Sequence, residues 1–263
     1  MAFWEWKKLV RRFTSDNIGY WLGGTVLLIV LWQILSMLVG QQKMVFPGPV
    51  MTLRHVTYLL GREYTYRCIF QTLFKMISGF LLSLVLALFL GLFSGNYPFL
   101  EKLLRPSIIT VRAIPTASLV YLFIVLAGFK MAPMLLVVII SFPIIYEGVC
   151  GGIRNVPKEM INAAKVDGSS FFRVNLRVRL PLAMPYIIVA LASSFSLSFK
   201  IEIMAEVMTG SSNPGLGSAI LGARSADPTD MVPIFAYSFI AVMIMLTIDF
   251  LAELIKNKLK SSL

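Results

Sequence analysis

Long apolar runs separated by short polar intervals dominate the chain. They occupy residues 18–40, 68–95, 107–129, 131–153, 182–208 and 231–254. Polar interruptions within them are few: Gln33 in the first, Gln71 and Lys75 in the second, Arg112 and Pro115 in the third. Glu147 stands near the end of the fourth, Lys200, Glu202 and Glu206 near the end of the fifth, and Asp249 in the sixth. A helix rising 1.5 Å per residue needs about 20 apolar residues to cross ~30 Å of hydrocarbon. Every run is long enough. The alternating segments of about ten residues that mark a membrane β-barrel are absent. The pattern predicts an all-α membrane protein: a six-helix transmembrane bundle over 18–254, with tails at 1–17 and 255–263.

Composition agrees with this. Of 263 residues, 57% are hydrophobic and 14% charged, against about 45–50% and about 25% in soluble domains. Charge then orients the bundle. With six spans, both termini share a side with the intervals 96–106 and 154–181. That side holds 15 of the 24 lysines and arginines and the opposite side 6; Lys75, Arg112 and Lys200 lie inside the runs. Cations accumulate in cytoplasmic loops, so both tails and the 154–181 interval are read as cytoplasmic. The net charge of +11 follows from that bias, and no basic patch interleaved with aromatics points to nucleic acid. Lys7, Lys8, Arg11 and Arg12 precede the first run, which is too long for a signal-peptide core and is followed by no small-x-small site, so it is read as a retained span.

Candidate chemistry is sparse. Cys68 and Cys150 lie in apolar stretches and read as packing residues. The single His55 has no second histidine to share a metal with. No G-x-x-x-x-G-K-[ST] loop is present, so ATP chemistry, if any, belongs to a partner chain, and no catalytic constellation argues for an enzyme.

The stretch from 161 to 185, "INAAKVDGSSFFRVNLRVRLPLAMP", is the exception to the apolar pattern. Asn155, Pro157 and Glu159 read as a helix start. Gly168 suits the left-handed residue that ends such a helix. Ser169 or Ser170 is placed to cap a second short helix from Phe171 to about Arg179, after which Leu180-Pro181 starts the next span. Two readings stay open at this level. The paired Ala163-Ala164 with flanking cations fits close contact with an acidic partner; an amphipathic hairpin on anionic lipid fits as well.

The spacing of this stretch resembles the EAA loop of permease subunits of bacterial ABC importers. Ala163, Ala164, Gly168, Leu180 and Pro181 fall on the motif positions, Val178 stands for its isoleucine and Asn162 replaces its glutamate. "FPGPVMTL", "TLFKMISGF" and "GLGSAI" are similar to the nitrate/sulfonate/taurine-type subgroup, in which Lys75 is more often arginine. The resemblance implies a type I importer permease of the bacterial cytoplasmic membrane. It would work with a second permease copy, two cytoplasmic ATPase subunits that bind the ATP, and an extracytoplasmic binding protein. Asn162, Ala163, Ala164, Asp167, Gly168, Leu180 and Pro181 would form the ATPase-coupling contact. A stand-alone secondary transporter is the competing class, disfavoured because no internal repeat is evident.

In the fifth run, at 100° per residue, Ser193, Ser196 and Lys200 share one face, while Ser194, Ser198, Glu202 and Glu206 share a broad opposite one. Charges within a span require water or a partner, so Ser196, Lys200, Glu202 and Glu206 are candidates for the translocation pathway. Arg112 is a further candidate, set against pairing with an acid or snorkelling to the cytoplasmic interface. The resemblance implies a small anion such as a sulfonate or nitrate, which Lys200 and Arg112 would suit, or, as in other relatives, a vitamin precursor or other small solute, which Glu202 and Glu206 would suit.

Overall fold

The computed structural model describes residues 18–39, 46–166, 168–210 and 214–260, so the 1–17 tail and Asp167 lie outside the described residues. The described residues form helices throughout: α1 (Ile18–Leu38), α2 (Pro49–Leu60), α3 (Glu63–Asn96), α4 (Pro98–Ala113), α5 (Thr116–Arg154), α6 (Lys158–Val166), α7 (Phe171–Val174), α8 (Leu180–Thr209), α9 (Leu216–Ala226) and α10 (Val232–Lys260). A π-helical turn, Asn175–Arg179, joins α7 to α8. Four helices among the described residues are long and apolar enough to cross a membrane: Glu63–Asn96, Thr116–Arg154, Phe171–Thr209 and Val232–Leu254. Leu22–Leu38 is a shorter apolar helix.

The chain packs as two units, Met1–Gly61 with Ala223–Phe239, and Arg62–Gly222 with Ile240–Leu263. In the first, the "FPGP" stretch turns the chain from α1 into α2. Trp32 Nε1 donates to the Pro47 carbonyl at 3.1 Å and Ser36 Oγ to that of Phe46 at 3.0 Å. Pro49 opens α2, where a missing N–H costs nothing, and Trp32 and Phe46 pack on Phe239 and Phe235.

In the second unit α3, α5 and α8 enclose the core, which includes Ala87, Val120, Leu136, Val149, Ile153, Ala183 and Ile187. Lipid tails are as apolar as leucine, so close backbone approach rather than hydrophobic burial drives such packing. The glycine spacings serve it. A Cβ on Gly91 would meet the Val149 side chain at 2.8 Å, and one on Gly95 that of Ile153 at 2.6 Å. Gly148 faces Ala190, and Gly152 faces Ala183 and Tyr186. Gly19 and Gly23, the third such pair in the sequence, have nothing within 4 Å of a built Cβ.

Two boundaries differ from the periodicity reading. The run 107–129 is itself divided, whereas its parting from 131–153 falls beside a kink at Gly128, where two helical stretches meet. α4 ends at Ala113, Ile114 is extended at φ −70°, ψ 129°, and α5 starts after Pro115. Proline excludes the helical conformation from the residue before it and brings no N–H. α5 then runs to Arg154 through one non-helical residue, Gly128, at φ 76°, ψ 168°. The second difference is at 180–181. Pro181 does not begin a new helix, because the π-turn carries α7 into α8 without a break, Leu180 N–H bonding to the Asn175 carbonyl. A wider turn ahead of a proline relieves the hydrogen-bond register that its ring would otherwise block.

Candidate functional site

The 154–181 interval folds into a hairpin. Asn155 is not the start of its first helix: its N–H bonds to the Gly151 carbonyl at 3.0 Å and closes α5. α6 follows from Lys158. Gly168 takes φ 71°, and Ser169 N–H bonds back five residues to the Ala164 carbonyl at 3.1 Å, the wide closure typical of a helix ended by a left-handed glycine. Ser170 is extended ahead of α7 and makes no side-chain cap. One side of α6 is held by Val156, Ile161 and Val174, with Ala164 against them. The other side is open: Asn162 and Ala163 are exposed, and so are Met160, Val166, Phe171 and Phe172. Leu180 is half-buried and Pro181 exposed at the head of α8. The hairpin therefore offers a surface that is both apolar and small-residued, set between cations.

A second constellation lies inside the bundle. Glu206, with no exposed surface, accepts hydrogen bonds from Thr72 Oγ1 at 2.8 Å, Lys75 Nζ at 2.9 Å and Gly217 N–H at 3.0 Å. Leu216 N–H donates to Thr72 Oγ1 at 2.8 Å. The first amides of α9 thus end on a threonine and a carboxylate, groups that suit the positive end of a helix dipole. A Cβ at Gly215 would strike the Glu206 carboxylate, and one at Gly217 the Ile203 carbonyl. The "TLFK" and "GLG" stretches, far apart in sequence, are two halves of one anchor. Sequence reading had both motifs but no means of pairing them, and it missed Thr72 and Gly217 as partners.

The two faces expected for the fifth run are separated in α8. Ser194, Ser198, Glu202 and Glu206 are buried; Ser193 and Lys200 are exposed. Glu202 and Glu206 have no exposed surface, and Glu206 turns inward, away from any surface of this unit. Ser198 Oγ lies 2.8 Å from Ser141 Oγ. Both Glu202 carboxylate oxygens are buried with no hydrogen-bond partner among the described residues. On the open face Ser196 donates to the Asp249 carboxylate, one turn from Lys200. Arg112 meets an acid: its Nη1 lies 2.6 Å from both Glu147 carboxylate oxygens, the two side chains being about half exposed.

The family described as binding-protein-dependent transport system inner membrane component matches residues 79–261. A Bacillus subtilis (strain 168) protein named as an aliphatic sulfonates transport permease, SsuC, is 28% identical over 254 residues, 95% of this chain and 91% of its own length. The riboflavin transport system permease protein RibX of Chloroflexus aurantiacus is 29% identical over 89% of this chain and 86% of its own. Among solved structures, a chain of an amino acid ABC transporter superposes with a TM-score of 0.64 at 19% identity, covering 78% of this chain and 97% of that one. At that identity the likeness concerns the fold.

Proposed function

As the chain belongs to the binding-protein-dependent transport system inner membrane component family, and is a permease subunit of an ABC importer, we propose that its 154–181 hairpin docks on a cytoplasmic ATPase and that α8 lines the route of a small anion. The observation that carries the coupling is the open side of α6: an ordered hairpin outside the apolar runs exposes Met160, Ala163, Val166 and Phe172. Exposed apolar side chains around a small-residue contact mark a protein interface better than a solvated loop. The bilayer would hold the subunit with both termini cytoplasmic, paired with a second copy, two ATPase subunits and an extracytoplasmic binding protein.

On the substrate, likeness to SsuC over nearly the whole chain and the exposed cation Lys200 favour a sulfonate-type anion. RibX, equally similar over slightly less of the chain, favours a vitamin-like solute. Coexpression with the ATPase encoded beside it tests the coupling: the two should co-purify from wild type, and Ala163→Trp should abolish the association. Failure of wild type to retain the ATPase would overturn the docking reading. Calorimetry of the neighbouring binding protein with ethanesulfonate and with riboflavin decides between the substrates.

A further inference from the structure

The hairpin's two arms are fastened very differently. α6 meets the rest of the chain through the small apolar cluster of Val156, Ile161, Val174 and Ala164. The second arm is tied by polar bonds to the end of α3. Asn96, the last residue of α3, donates from Nδ2 to Leu92 O at 2.7 Å and to Asn175 Oδ1 at 2.8 Å. Asn175, only 3% exposed, donates in turn to Phe171 O at 2.9 Å. Arg179 Nη1 closes the group on Asn96 Oδ1. Next to it the Tyr97 and Phe171 rings stack with centroids 5.9 Å apart.

Asn175 and Arg179 are four positions apart, a spacing that puts side chains on one helical face, so both present to the same partner; the turn that carries them is π-helical. π-turns inside α-helices concentrate at functional positions because they cost regular hydrogen bonding. Behind Asn96, α3 and α5 approach so closely at Gly95 that a Cβ there would meet the Ile153 side chain at 2.6 Å. A force on the second arm has a direct polar route to the end of α3; α6 is joined to α5 by the short 155–157 connection and to the second arm through the apolar cluster.

We infer that Asn96, Asn175 and Arg179 form a clamp that hands displacement of the hairpin to α3, making them positioning residues for coupling. This rests on the ATPase-docking reading above. The side chains do not lie on the open side of α6, so their role is separable from docking. Asn175 is buried and Asn96 and Arg179 half-buried, so a slip of the hairpin would strand the Asn175 amide away from water.

The test uses the assembled importer in nanodiscs, with Cys68→Ala and Cys150→Ala to clear native thiols. Spin labels replace Phe89, exposed on α3, or Glu159, exposed on α6. Label-to-label distance between the two permease copies is read with and without ATP and vanadate. In wild type both distances should shift on trapping. In Asn96→Leu and Asn175→Leu the Glu159 pair should still shift while the Phe89 shift falls by at least about half, and Asn175→Asp, which keeps the acceptor for Asn96, should restore it. An unchanged Phe89 shift in both leucine variants overturns the clamp, as does an Asn175→Asp loss equal to that of leucine. Loss of both shifts in the leucine variants also overturns it, making the cluster a support for docking. No shift at either label in wild type overturns the docking reading and the clamp together.

Discussion

At the scale of single residues, Gly168 and Lys200 illustrate two ways for one side chain to matter. A built Cβ at Gly168 meets nothing within 4 Å, yet its φ of 71° is one that side-chain-bearing residues rarely adopt. Space is available and conformation is not. Left-handed backbone costs ~1–2 kcal/mol for residues other than glycine, most for β-branched ones. Gly168→Val should therefore insert and fold, with detergent-solubilised melting near wild type, while ATPase association falls because α6 is re-aimed. Gly168→Asn should retain most of that association, since asparagine tolerates the left-handed region. Lys200 is exposed on a membrane helix, an expensive position unless water or a partner meets the charge. Lys200→Leu should leave assembly with the ATPase intact and lower uptake of the cognate substrate several-fold in whole cells. Uptake equal to wild type would remove Lys200 from the pathway.

At the scale of elements, the anchor between α3, α8 and α9 sets the order of sensitivities. Depth along α8 alone ranks Glu202 above Glu206 for the cost of desolvation. For stability the contacts set the opposite order. Glu206 holds Thr72, Lys75 and the first turn of α9, whereas Glu202 has no hydrogen-bond partner among the described residues. Glu206→Leu leaves Lys75 buried without its counter-charge, a loss of about 3–5 kcal/mol. Glu202→Gln keeps its size and removes no hydrogen bond seen here, so its effect on melting should be small. Lys75→Met with Glu206→Leu removes both charges at once and should melt above either single variant. Differential scanning fluorimetry in detergent measures all four. If the double variant melts at the sum of the two single losses, the side chains do not act as a pair.

At the scale of the whole molecule, the six-span topology makes its own prediction. Two of the expected spans are carried by α4 and the kinked α5, whose break and kink fall at Ile114–Pro115 and Gly128. A cysteine at Ser262 should react with an impermeant maleimide only from the cytoplasmic side, and one at Ser212 only from the outside. Reaction of both from one side would mean an even number of crossings between them, where the six-span reading requires one, and would end that reading.

How much of this was legible beforehand follows from the physics of each feature. The sequence alone determined the class, because a bilayer demands long runs that satisfy their own backbone, and such runs are visible as composition. It also determined the bend at Gly168 and the division of α8 into two opposite polar faces, because turn chemistry and a 100° step are local properties; which face is buried came from the packing. Only the tertiary structure decided what the buried polar side chains do. Lys75 and Glu206 are separated by 131 positions and Asn96 and Asn175 by 79. No local rule pairs residues at such distances. In a low-dielectric interior a charge is driven to whichever partner the packing brings within ~3 Å, and close approach at Gly91, Gly95 and Gly148 is what brings those helices together.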